Sequence, residues 1–141
     1  MKWRALLIAV VALAVVLPNR PARVFAQPTQ PYLHDILRRP VFKESWDRLF
    51  RRNRNIDLWV HVFGGGGPGV AGPAEPVTAG GRSYLSTDVC KPHDCADNQL
   101  FVLFTVNGTQ AWAALRHKDF VQWLGNPGPA ERGLLERRLA R

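Results

Sequence analysis

SYLSTDVCKPHDCADNQLFVLFTVNGTQAWAALR (83–116) is the stretch on which the fold turns. SYLSTDVC and NQLFVLFTV (98–106) are rich in β-branched and aromatic residues, the composition of strands. Asn107-Gly108 is the strongest short hairpin signal in the chain, because these residues tolerate the positive φ of a tight two-residue turn. It returns the chain into TQAWAALR (109–116) as the next strand. Toward the N-terminus, EPVTA meets RSYLSTDVC across Ala79-Gly80-Gly81 as another short hairpin.

The flanks are predominantly helical. Tyr32, Leu33, Ile36 and Leu37 form a first short apolar face, broken near Arg39-Pro40. VFKESWDRLFRRN (41–53) carries Phe42, Trp46, Leu49 and Phe50 at helical spacing, with basic residues at its C-terminal end, where the helix dipole favours them. IDLWVHVF (56–63) reads as a strand and GGGGPGVAGP (64–73) as a long connection. KDFVQWL (118–124) reads as a turn or two of helix, and AERGLLERRLAR (130–141) as a helix with Leu134, Leu135 and Leu139 on one face. The sum is an α+β fold: an antiparallel sheet of four or five strands, helices packed on one of its faces, and a protruding loop. At 141 residues one hydrophobic core fits and a second does not, so residues 27–141 are expected to form a single domain.

Residues 1–26 have another origin. Lys2 and Arg4 precede the apolar run ALLIAVVALAVVL (5–17), which is short for a bilayer span and stops at Pro18. Val24-Phe25-Ala26 places small residues where a signal peptidase reads, so a signal peptide over 1–26 and a mature chain from Gln27 are expected, with an uncleaved anchor as the alternative because PNRPAR is long and basic. Its removal takes four of the 19 basic residues and none of the 11 acidic ones, leaving a net charge of 15 minus 11, or +4. Nucleic acid is excluded as a partner, since an exported chain rarely meets it and no stacking motif is present.

Several tempting patterns carry little. GGGGPG lacks the following GK[ST] of a phosphate-binding loop. Asn107-Gly108-Thr109 matches a glycosylation acceptor but serves a turn. His34 and His61 have no partners at ligand spacing and His117 falls in an exposed basic turn, so all three read as structural or solvated.

CKPHDC (90–95) holds the only two cysteines, between two strands. Outside the cytosol such a pair is normally a disulfide. A ring closed from Cys90 to Cys95 would contribute only about 2 kcal/mol by chain entropy. With Pro92 it would also hold His93 at its tip in few conformations, which lowers the entropy cost of binding. A plain hairpin staple is the competing reading. A metal site built from Cys90, His93 and Cys95 would lack a fourth ligand, and a catalytic Cys-His pair would need a free thiol. No cofactor is expected.

CKPHDC, with VFKESWDRLFRRN and IDLWV before it, SYLSTDV leading into it and LFVLFTV after it, resembles the inhibitor of vertebrate lysozyme (Ivy) family of periplasmic proteins. The likeness covers about residues 32–125; the long GGGGPGVAGPAEP loop and the short tail depart from it. The resemblance implies a periplasmic protein that is not an enzyme and serves evasion of host defence by plugging the active site of a C-type lysozyme. The disulfide-closed loop of Cys90, Lys91, Pro92, His93, Asp94 and Cys95 would enter the cleft, with His93 hydrogen-bonding both catalytic carboxylates. Lys91, Pro92 and Asp94 would shape the loop, with Asp94 also able to contact the cleft rim. Bacterial lytic transglycosylases stay open as further targets, and edge strands allow a homodimer without requiring it. Over residues 87–98, Asp88, Asp94 and Asp97 against Lys91 form a local acidic patch that would steer association with a basic lysozyme. A structural or envelope-assembly protein on the same scaffold and a periplasmic metal-binding protein are the alternatives.

Overall fold

The computed structural model describes residues 29–51, 53 and 55–141; the expected signal peptide and its cleavage site lie outside them. Three helices come first: α1 (Leu33–Ile36), α2 (Pro40–Arg51) and α3 (Leu58–Gly64). Six strands follow, β1 (Val70–Ala71), β2 (Glu75–Ala79), β3 (Arg82–Cys90), β4 (Asn98–Thr105), β5 (Ala111–His117) and β6 (Phe120–Leu124), and α4 (Pro129–Leu139) closes the chain. The fold is α+β, as its sequence suggests.

All the strands pair antiparallel, in the order β1-β3-β4-β5-β6, with β2 also on β3. β1 pairs at the Cys90 end of β3 and β2 at the Tyr84 end, so the two share one edge. Between them the chain stays close: the Gly72 amide donates to the Asp88 carbonyl at 2.7 Å, and Thr87 Oγ1 donates to the Gly72 carbonyl at 3.0 Å. A Cβ on Gly72 would meet the Asp88 carboxylate at 2.6 Å, so glycine is what permits this approach.

The expected four or five strands are thus six, because Val70–Ala71 in the glycine-rich stretch and Phe120–Leu124 both join the sheet. KDFVQWL is not a helix: Lys118, at φ 51°, and Asp119 make a two-residue hairpin between His117 and its partner Phe120. IDLWVHVF is not a strand. Val60 and Phe63, one helical turn apart, are buried against the core, while Leu58 and Val62 are exposed. An apolar run of this length fits either period, and packing decides between them.

The helices lie on both faces of the sheet rather than on one. Leu100, Val102 and Phe104 of β4 face the core shared with Phe42, Trp46, Leu49, Val60 and Phe63 of α2 and α3. Phe101 and Leu103, of opposite parity, face Tyr84, Trp112 and α4 residues Leu134 and Leu135. A strand covered on both sides reads as a continuous apolar run, which is the pattern of LFVLF. On the α4 side Tyr84 Oη donates to Glu131 Oε1 at 2.6 Å, and both side chains are buried. Burial pushes the Tyr84 phenol up, assisted by the bond to Glu131 and its charge. The same hydrogen bond holds the Glu131 carboxyl below its ordinary value, against its own burial.

Candidate functional site

The β3–β4 connection is short and heavily tied. Cys90 and Cys95 are joined by a disulfide, with Cα atoms 4.9 Å apart. The Asp94 amide donates to the Lys91 carbonyl at 3.0 Å, closing a turn around Pro92 and His93. His93 sits at the tip at φ 64°, in the left-handed region that costs a residue with a Cβ about 1–2 kcal/mol. Pro92, with its φ fixed by the ring, precedes it. His93 and Lys91 are exposed, while Pro92, Asp94 and Cys95 are partly covered.

The base of the loop is organised by Asn98, the first residue of β4, which is 3% exposed. Its carbonyl accepts from the Lys91 amide at 3.0 Å and its amide donates to the Asp94 carbonyl at 3.0 Å. Its side-chain Nδ2 donates to Asp94 Oδ2 at 2.6 Å, and its Oδ1 lies 2.6 Å from His117 Nδ1. With Nδ2 committed to Asp94, Oδ1 is the acceptor and the His117 ring carries its hydrogen on Nδ1. The same nitrogen is 3.5 Å from Asp57 Oδ2, just before α3. Lys91 Nζ approaches Asp94 Oδ2 at 3.5 Å.

The structure therefore gathers the six loop residues in one place and gives each a distinct setting. Asp94 turns its carboxylate to Asn98 and Lys91, a stabilising duty inside the loop. The acidic patch is smaller than the sequence suggests. Asp88 receives Arg138 Nη2 at 2.6 Å and Gln99 Nε2 at 3.1 Å on the α4 side of the sheet, although it shares that guanidinium with Glu75 at 3.2 Å, so it is paired rather than free to act as an open acidic surface. Asn98, His117 and Arg138 escape a reading by motif, because only the folded register places them beside the loop or beside Asp88. The Asp94-to-Asn98 spacing was the one local signal.

The hairpin turn at Lys118-Asp119 lies at the same end of the sheet as the loop, since Asn98 is the partner of His117. Exposed apolar side chains flank this end: Phe120 opposite His117, Val70 opposite Cys90, and Leu58 next to Asp57. Among the described residues no three or more His, Cys, Asp or Glu side chains cluster to hold a metal ion, and the two sulfurs are bound to each other. Among the same residues no helix is long and apolar enough to cross a membrane.

Residues 41–131 match the family described as inhibitor of vertebrate lysozyme (Ivy). An uncharacterised protein of Yersinia pestis is 28% identical over 142 residues, covering 85% of this chain and 90% of that protein. The inhibitor of vertebrate lysozyme of Pseudomonas aeruginosa is 31% identical over 86 residues, covering 59% of this chain and 52% of that protein. A second protein of P. aeruginosa, also uncharacterised, is 25% identical over 112 residues, covering 70% and 69% respectively.

Proposed function

Because this chain belongs to the inhibitor of vertebrate lysozyme family, we propose that it is a periplasmic proteinaceous inhibitor of C-type lysozyme, exported by the leader at 1–26. The loop from Cys90 to Cys95 enters the active-site cleft and sets His93 against the two catalytic carboxylates. The observation that carries the reading is the geometry of the loop. An exposed imidazole stands at its tip in a left-handed conformation, on a base closed by a disulfide and by Asn98.

The chemistry suits a plug. Lysozyme cleaves its glycosidic bond between a protonated glutamic acid and an ionised aspartate held about 5–5.5 Å apart, as in retaining enzymes generally. One imidazole has two ring nitrogens and can address both carboxyl groups at once. No bond forms or breaks, so the protein acts by occupancy and not as an enzyme. A loop fixed before encounter loses little entropy on insertion, which supports tight binding.

The loop cannot make the whole contact. A stable interface engages about 20–30 residues a side, far more than one short loop offers. The exposed Phe120, Val70 and Leu58 at the same end of the sheet supply the flank that rests on the cleft walls. Bacterial lytic transglycosylases form a second class of target to assay in parallel.

The test is lysis of bacterial cell walls by a C-type lysozyme, followed by turbidity, with wild-type protein and His93→Ala. Inhibition by wild type and its loss in the variant support the reading. Full lysis in the presence of the wild-type protein would leave an envelope scaffold as the better description.

A further inference from the structure

We infer that Asn98 is the positioning residue of the inhibitory loop: a latch that, together with the disulfide, holds His93 in its binding conformation. The inference rests on the reading of this loop as the inhibitory element. It goes beyond that reading by placing the control of loop shape on a residue outside the ring.

The disulfide ties only the two ends of a six-residue segment. It does not decide which way the Asp94 carboxylate faces, and it does not by itself hold His93 at φ 64°. Asn98 makes three hydrogen bonds into the loop: to the Lys91 amide, to the Asp94 carbonyl and to the Asp94 carboxylate. The fourth runs outward to His117, which is also within 3.5 Å of Asp57. The loop is therefore anchored to β5 as well as to β3 and β4, with Asp57 at the start of α3 close by.

The residue type follows from the geometry. The position requires a donor toward Asp94 and an acceptor toward His117 on one short planar group, and the asparagine side chain has both. Aspartate would keep the acceptor and lose the donor, and would set a second carboxylate against Asp94. Leucine would offer neither. A strand-initiating residue with no duty toward the loop would need no such pairing, since its backbone bonds are made whatever the side chain.

The experiment is a swap. Asn98→Asp removes the donor to Asp94, while Asp94→Asn combined with Asn98→Asp restores it with the roles exchanged. Two readouts are taken on each protein: the inhibition constant against lysozyme, and NMR couplings and chemical shifts of His93 in the free protein, which report loop order without lysozyme. The latch predicts that Asn98→Asp weakens inhibition about ten- to a hundredfold and averages the His93 signals, as expected for loss of a hydrogen bond to a charged partner. The double variant should recover both readouts more fully than either single variant. Asn98→Asp with wild-type inhibition and an ordered loop would overturn the latch, and so would a double variant no better than Asn98→Asp. If His93→Ala still inhibits, the plug reading fails, yet the NMR comparison still decides whether Asn98 orders the loop. Melting temperatures measured alongside separate a loosened loop from a protein that has lost its fold.

Discussion

Strand β4 has a tight connection at each end, and each contains one residue at positive φ. At the far end that residue is Gly108, at φ 75°, in the Asn107-Gly108 turn; a Cβ there would lie 2.5 Å from the Phe42 ring. At the near end it is His93, at φ 64°, exposed on a loop that glycine would suit better. One turn takes the residue that folding prefers. The other keeps a histidine in a costly conformation and spends a disulfide, a proline and the Asn98 latch on holding it. Strain borne by an exposed imidazole with so much support beneath it points to a role outside the fold.

The largest expected effect is on the near end. Hydrogen bonds to charged partners contribute about 1.5–3 kcal/mol each, so losing two in His93→Ala should weaken lysozyme binding by roughly 10²–10⁴-fold with little change in melting temperature. Titration of lysozyme with the two proteins measures it. A His93→Ala protein that binds as wild type does would erase the contrast between the two ends.

The far end should behave in the opposite way. Gly108→Val adds both a left-handed penalty and an intrusion on Phe42, together about 2–4 kcal/mol of lost stability by denaturant unfolding. Inhibition per folded molecule should stay at the wild-type level. A Gly108→Val protein that folds normally but inhibits poorly would mean that the turn, too, meets the enzyme.

The same contrast explains what the sequence makes legible. The hairpins at Gly80-Gly81 and Asn107-Gly108, helix α2, helix α4 and the loop itself are written in local chemistry: glycine at positive φ, apolar residues at helical spacing, a proline and a histidine between paired cysteines. IDLWVHVF and KDFVQWL are short apolar runs whose period is ambiguous, so their conformation depends on Trp46 and Phe50 in one case and on the edge of β5 in the other. LFVLF is apolar on both faces, yet the sequence reading expects helices on one; only the packing of α1–α3 on one side and α4 on the other shows why both faces are apolar. The latch was hidden, because Asn98 and His117 are far apart in the chain and meet only through the β4–β5 register.

The face opposite α1–α3 gives a pH-dependent control far from the loop. Glu131 is held below its ordinary value of 4.5, chiefly by the Tyr84 hydroxyl. Its folded carboxylate therefore contributes stability that is present above that value and lost as pH falls through the lowered one. Tyr84 is raised from 10.0 by burial first and Glu131 second, so its contribution is complete below pH 10 and lost as the pH climbs through the raised value. Tyr84→Phe removes the donor and leaves a buried carboxylate, which should cost about 1–3 kcal/mol. It should also shrink or reverse Glu131's part of the acid loss of stability, since without the hydroxyl burial disfavours the carboxylate in the folded state. Urea unfolding between pH 3 and 7 checks both effects. An acid limb unchanged in Tyr84→Phe would show that the pair does not set it.

The smallest effect is the most direct comparison of the two ends, because it places at position 93 the residue that position 108 already has. His93→Gly removes a left-handed cost of about 1–2 kcal/mol and adds the extra chain entropy of glycine, about 0.5–1 kcal/mol. The net is a gain of at most about 1.5 kcal/mol in unfolding free energy, with inhibition lost as in His93→Ala. Equal stability of His93→Gly and His93→Ala would mean that the left-handed cost here is no larger than the chain entropy that glycine adds, about 0.5–1 kcal/mol, because alanine keeps the Cβ and glycine does not. A His93→Gly protein less stable than wild type would assign the imidazole a contact within the fold, and the asymmetry between the two ends of β4 would no longer argue for a partner. A gain in stability accompanied by loss of inhibition would instead show that the fold bears a small cost at this residue and that the enzyme is what makes histidine worth keeping there.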